Sequence, residues 1–254
     1  LQLDRKGEPA PDPGFEEAWR TRFERFAEWR EDDAGIAGWS PSGLDARVRR
    51  FLRLWTPVGH RWLDVGCGAG TYTRILLEHG LEPVGVDYSL PTLHKAALRN
   101  QGVTFTLADV RRLPFRPGQF DGVLCFGVTQ ALGESGPAVR ELAAQVKPGG
   151  ELWIDALNGW CVARTYDWLR RRLRGSAEHL RYESPRQLER ALEACGFVDV
   201  QRHWMPIVPP RARALQRLVE SRPVGAALRL VPVLGLLLSH AFIVRGHKPG
   251  KTAA

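Results

Sequence analysis

The chain has 254 residues, 44% of them hydrophobic and 25% charged, as expected of one well-buried domain with additions or of two small ones. Its four cysteines, Cys67, Cys125, Cys161 and Cys195, are too far apart for a zinc or disulfide framework, so no metal site is expected and a reducing cytoplasm fits best. The net charge of +8 sits in the last third: from Cys161 onward there are 17 Lys+Arg against 7 Asp+Glu, and before it 19 against 21. Such asymmetry points to a surface that meets something anionic.

Residues 1–14 are polar, Pro-rich and without an apolar signal-peptide core, and are expected to be disordered. From Phe15 a helix is predicted, because Phe15, Trp19, Phe23 and Phe26 share one face of a 3.6-residue period. "GWSPSG" (38–43) reads as a turn and "LDARVRRFLRLW" (44–55) as a second amphipathic helix, so that 15–60 form an N-terminal helical cap.

The pattern then alternates. "RWLDVG", "EPVGVDYS", "VTFTLADV", "FDGVLCFGV" and "ELWIDALN" read as strands. Between them "TYTRILLEHG", "LPTLHKAALRNQG" and "GPAVRELAAQVKPGG" read as helices, with Pro at early positions and Gly at the ends. "SPRQLERALEACGF" is a further helix, and "VDVQRHW" and "HAFIVRG" are the last strands. Such alternation implies an α/β fold, a mostly parallel sheet with helices on both faces, over 61–246. Within it 206–238 reads as a basic, Leu/Val-rich lid or insertion, and 247–254 as a flexible tail. The longest stretch without a charge, Leu230 to Val244, has 15 residues, short of the roughly 20 that a spanning helix needs.

"LDVGCGAGTYTR" (63–74) closes the first core strand and opens a helix, the place where open α/β sheets bind ligands. Gly66, Gly68 and Gly70 allow a tight backbone and close ligand approach. Asp87, at the end of the next strand, can accept hydrogen bonds from both hydroxyls of an unphosphorylated ribose. The ligand is therefore adenosine-like. The spacing G-x-G-x-G, with Thr71 where a last glycine would stand, departs from the dinucleotide fingerprint and argues against a dehydrogenase.

With "VGVDYS", "ADVRRLPF", "FDGVLCFGVTQAL", "VKPGGELWIDALN" and "ACGF" in order, the chain resembles class I S-adenosylmethionine-dependent methyltransferases, especially the small-molecule group that includes ubiquinone and menaquinone biosynthesis enzymes. The resemblance covers about residues 60–200. It implies a Rossmann-like seven-stranded sheet with an antiparallel last strand, S-adenosylmethionine as methyl donor and S-adenosylhomocysteine as product. It further implies that Gly66, Cys67, Gly68 and Gly70 pass beneath the methionine and ribose, and that Asp64 orients the loop and the donor's amino group. Asp87 would bind the ribose, and Tyr88 and Leu90 would flank the adenine. Asp109 and the Val110 amide would meet the adenine edge, and Phe126 and Gly127 would offer backbone to the methionine amino group.

Methyl transfer needs alignment and water exclusion more than it needs a base. The candidates for a base, His179 and Tyr182, lie in the loop before "SPRQLERALEACGF", which often faces the acceptor in this group. Asn158 and Trp160 are candidates to line the pocket, and Trp39 to close over the donor. Trp19 and Phe23 read as cap packing, and His203 as structural. The expected acceptor is a small molecule, anionic or lipid-linked, with oxygen favoured as the accepting atom and carbon or nitrogen as the alternatives. The arginines at 170–174 and 211–229, beside the greasy end of 206–238, suggest peripheral contact with an anionic membrane. An RNA substrate is the alternative, weakened by the absence of an RNA-binding module and of an amino-methylating signature at "FGVTQ". A donor-binding scaffold without catalysis is the other.

Overall fold

Three helices lead into the sheet: α1 (Gly14–Trp29), α2 (Asp33–Ile36) and α3 (Pro41–Leu54). They are seen in a computed structural model that describes residues 14–173, 180–208 and 214–250. The predicted turn at 38–43 is shorter than expected. Ser40 caps α3 by accepting from the Gly43 amide at 3.1 Å, and Pro41 takes the first helical position, so the helix starts three residues early. Asp32 caps α2 in the same way through the Gly35 amide.

The core then runs β1 (Arg61–Val65), α4 (Thr71–Glu78), β2 (Glu82–Asp87), α5 (Leu90–Arg99), β3 (Thr104–Leu107), β4 (Phe120–Cys125), α6 (Gly136–Gln145) and β5 (Val146–Leu157). It continues with α7 (Val162–Leu173), α8 (Pro185–Ala194), β6 (Val198–Met205), α9 (Gln216–Val219), α10 (Arg222–Leu230), α11 (Pro232–Leu238) and β7 (Ala241–His247). The seven strands lie in the order β3-β2-β1-β4-β5-β7-β6. β7 is antiparallel to both its neighbours, and the β1, β2, β3, β4 and β5 pairings are parallel.

The structure revises the sequence reading in some places and completes it in others. The helix predicted over 136–150 stops at Gln145. Val146 already pairs with Phe120, and the register shifts across the Lys-Pro-Gly-Gly run before Glu151 meets Gly122. The arginine-rich 162–173 is a helix, and the greasy part of 206–238 is a pair of short helices. Residue 247, expected to open a flexible tail, pairs within β7, and the Lys248 amide donates to the Gly150 carbonyl; 251–254 lie outside the described residues. The predicted disordered tail, Gly14 excepted, lies outside the described residues.

Apolar clusters cover the sheet. One joins Leu63, Val65, Val86, Phe120, Ile154 and Phe242 to α6 and α8 through Leu142, Leu188 and Leu192. The other is aromatic: Phe51 of α3 stacks on Trp55 and meets Tyr72, Phe126 and Trp153 edge-on, with ring centroids 4.9–5.7 Å apart. α3 is thereby fixed to the body by buried rings, and it carries Arg47 with it.

Candidate active site

The strand order reverses between β1 and β4, the switch point at which α/β sheets bind ligands. The loops after these strands carry Gly66 and Gly127, and both residues line a cleft of about 230 Å³. Asp87, Tyr88, Ala108, Asp109 and Val110 form one side of it, and Trp19, Arg20 and Phe23 of α1 roof it. A smaller recess of about 60 Å³, sharing Phe23, Gly66, Asp87 and Gly127, reaches Cys67, Gly68, Tyr72 and Phe126 under Trp39.

The glycines of the loop differ in what excludes a side chain. Gly66 has φ +73°, and a Cβ there would stand 2.1 Å from Val128 Cγ2. Gly68 has φ +55° and nothing within 4 Å of such an atom. Protein packing thus dictates the first glycine, and Gly68 leaves open space beside the recess.

Asp87 ends β2 as a buried carboxylate. Its Oδ2 accepts from the Gly68 amide at 3.0 Å and its Oδ1 from the Ser89 amide at 2.9 Å. Burial pushes its pKa up and these amides pull it back, with no cation within ion-pair distance among the described residues. Each oxygen keeps a lone pair for a hydroxyl. Asp64, also buried, accepts from Thr73 Oγ1 at 2.6 Å, and burial pushes its pKa to about 6. It ties β1 to α4 beneath the loop and does not line the cleft.

Asp109 lines the cleft, but its carboxylate is already engaged by the Arg111 guanidinium at 2.6 Å, which holds its pKa down. Arg111 also reaches Glu16 Oε2 at 2.7 Å, and Glu16 Oε1 accepts from the Gly133 amide at 2.8 Å. Glu16 therefore latches α1 across the cleft.

Gly127 was expected to offer its backbone. Its amide is spent on Asp155 Oδ1, 2.6 Å away, which leaves carbonyl oxygens as the acceptors for an ammonium group. Phe126 O lies 4.0 Å from the point where a Gly66 Cβ would stand. Asp155 also accepts from Arg47 Nε at 3.1 Å, in a pair about 5% exposed on both sides. The Arg47 guanidinium lies over the Trp39 ring at 4.3 Å, and Trp39 covers Gly127. No motif in the sequence marks Arg47 or Asp155. Asp33 was missed as well: it accepts from Thr71 Oγ1 at 2.6 Å, Arg74 at 3.1 Å and Arg99 at 2.7 Å, tying the cap to the end of the glycine loop.

Several predicted residues stand elsewhere. Leu90, the first residue of α5, is half exposed and outside the walls of cleft and recess, because Ser89 caps the helix and turns its opening residue outward. Tyr182 is also outside those walls, with its ring 4.7 Å from the Arg164 guanidinium. Asn158 is fully buried and structural, and Trp160 is largely exposed. Trp19 and Phe23, read as packing, line the cleft. His179 lies outside the described residues.

Three buried polar atoms around the cleft lack a hydrogen-bond partner among the described residues: Trp39 Nε1, Tyr72 Oη and Tyr88 Oη. Together with Asp87 and the open space at Gly68, they fit a polar ligand that carries a ribose. Residues 63–154 match the family described as a methyltransferase domain. This matched stretch, about a third of the chain, is similar to class I S-adenosylmethionine-dependent methyltransferases.

Over 114 residues it is 36% identical to a demethylmenaquinone methyltransferase of Renibacterium salmoninarum, covering 42% of this chain and 48% of that one. Over 111 residues it is 35% identical to a probable tRNA methyltransferase 9B of Homo sapiens, covering 42% of this chain and 23% of that one. The chain thus spans less than half the length of either relative. Among solved structures, the phosphoethanolamine N-methyltransferase 2 of Haemonchus contortus in complex with S-adenosyl-L-methionine shares the fold, with a TM-score of 0.60 at 19% identity over 95% of this chain and 61% of that one. No helix among the described residues is long and apolar enough to cross a membrane, and they contain no His/Cys/Asp/Glu group able to hold a metal.

Proposed function

We propose that this methyltransferase moves the methyl group of S-adenosylmethionine to a small-molecule acceptor, with oxygen as the favoured atom, by in-line displacement. The observation that carries the reading is Asp87: a buried carboxylate with no ion-pair partner among the described residues, held by two backbone amides at the head of the cleft. The donor supplies an electrophilic methyl group on a sulfonium when bound. The chain supplies the rest. Asp87 accepts from both ribose hydroxyls, the carbonyls of Phe126 and Gly127 face the ammonium group, and Asp109 and Val110 meet the adenine edge. Trp19, Phe23 and Trp39 exclude water, which strengthens the polar contacts inside and leaves alignment as the main source of rate.

Calorimetric titration with S-adenosylhomocysteine tests the donor site. Micromolar binding is expected, weakened at least 100-fold in Asp87→Ala, on the order of two charge-assisted hydrogen bonds. Failure of the intact protein to bind would overturn the donor site, and binding without turnover on any acceptor would favour the scaffold. Identity to a quinone-pathway enzyme supports the small-molecule acceptor. The basic last third and the identity to a probable tRNA methyltransferase support RNA as the second reading. Retention on tRNA that falls steeply with salt, together with methyl incorporation into it, would move that reading to first place.

A further inference from the structure

The basic end of the chain, which the donor cleft does not use, is built as a surface. α11 contains no charged residue, and Leu230, Val233 and Leu238 are each more than half exposed, with Val231, Leu234 and Leu237 beside them. Such a ridge is not a frayed end, because it is anchored from behind. Leu228 of α10 is buried in the core cluster. Gly235 lies so close to Trp204 that a Cβ would stand 2.1 Å from the indole nitrogen. Asn158 donates to Leu236 O at 2.6 Å and to Ser239 O at 2.8 Å. Leu230, Leu234, Leu237 and Leu238 face outward, while Leu236 packs on the core and its carbonyl is held by Asn158.

Next to the ridge is a cluster of cations. Arg50, Arg53 and Arg229 line one small cavity between α3, the end of β6 and α10, with Glu220 as its acidic lining residue. Glu220 is taken by a two-pronged pair with Arg49, both bonds 2.9 Å. Arg50 is half-buried with its Nε lacking a hydrogen-bond partner, and Arg229 has no carboxylate within ion-pair distance among the described residues. Arg217 and Arg222 extend the positive field along a neighbouring groove.

From this arrangement we infer that α10 and α11 form a docking surface for an anionic phospholipid bilayer, with the Leu230–Leu238 ridge entering the headgroup boundary and the arginines beside it meeting lipid phosphates. An apolar strip flanked by arginines is the pattern of an interfacial element that lies on a membrane without crossing it. Charge selects the occupant: a protein partner or second copy would need acidic groups opposite Arg50 and Arg229, whereas an anionic bilayer supplies phosphates at any registration, each arginine adding roughly fivefold to affinity. Exposed Trp160, whose amide donates to Asn158 Oδ1, stands at the same edge and suits the interfacial zone. The inference does not depend on methyl transfer.

The test is flotation with vesicles of phosphatidylcholine alone or with about one third phosphatidylglycerol, using the whole chain. The expected result is binding to the anionic vesicles, at least tenfold weaker on the neutral ones and in high salt. Val233→Glu/Leu237→Glu and Arg229→Glu should each lower it at least tenfold while thermal unfolding and S-adenosylhomocysteine binding stay unchanged. No flotation of the intact chain with anionic vesicles at low salt would overturn the inference. So would equal flotation of the folded Val233→Glu/Leu237→Glu variant, or a dimer in solution that this variant dissolves without any vesicle binding.

Discussion

The donor cleft and the α10–α11 face handle charge in opposite ways. In and beneath the cleft, Asp64, Asp87 and Asp155 are buried with their pKa values pushed up, and each is answered by a specific donor: a threonine hydroxyl, two amides, or an amide and Arg47. At the basic face, burial pushes Arg50 down, and crowding by Arg53 and Arg229 adds to it. His203, chiefly buried and also facing Arg50, Arg245 and Arg229, is pushed down to about 4. One region stores charge that the protein has already compensated. The other pairs Arg49 and Arg53 with Glu220 and leaves Arg50 and Arg229 without a carboxylate in ion-pair distance among the described residues.

The largest effect should come from breaking the compensated side. Asp155→Ala leaves Arg47 buried without its partner and should cost about 3–5 kcal/mol of stability in urea unfolding. Replacing both by apolar residues should recover much of that loss, and a double variant as unstable as Asp155→Ala would show that the Gly127 amide, not the ion pair, is what matters.

Next come two pH tests of opposite sign. Asp64 has a folded pKa of about 6 against 3.8 for the free group, so it stabilises the fold below pH 4 and loses that contribution as pH rises through 6. Asp64→Asn should therefore gain on the order of 3 kcal/mol over the parent at pH 8 and nothing at pH 4. His203 is held neutral in the fold, so its burial costs stability as pH falls from 6.5 towards 4. His203→Gln should flatten that acid limb, and thermal melts from pH 4 to 8 would read both slopes. Parallel slopes in the two variants would contradict the contrast between the regions.

The smallest effect is at the latch. Glu16 and Arg111 are both more than a third exposed, so Glu16→Gln should change stability by less than about 1 kcal/mol. It should still speed S-adenosylhomocysteine release a few-fold in stopped-flow fluorescence, because Glu16 crosses the cleft mouth to Gly133.

The parts of the molecule that were legible in the sequence are those that repeat a local rule. β1, the glycine loop and α4 announce themselves by a buried run, positive-φ glycines and a helical period, and Asp87 by its place at the next strand end. Arg47 and Asp155 obey no local rule: they are 108 residues apart, and Asp155 reads as one polar interruption in a buried strand. Trp19 and Phe23 show their helical face in the sequence, yet nothing local says that the face covers an open cleft instead of a filled core. α2, α10 and α11 have four, nine and seven residues, too few for periodicity to rise above composition, and only Asp32 and the prolines at 223 and 232 hint at where they start.

The end of β5 gives these two regions a common fulcrum. Asp155 steadies the Gly127 amide and the cap's Arg47, and three residues later Asn158 grips the carbonyls that finish α11. The leucine ridge and the groups that shape the floor and roof of the cleft are therefore anchored within four residues of one strand end.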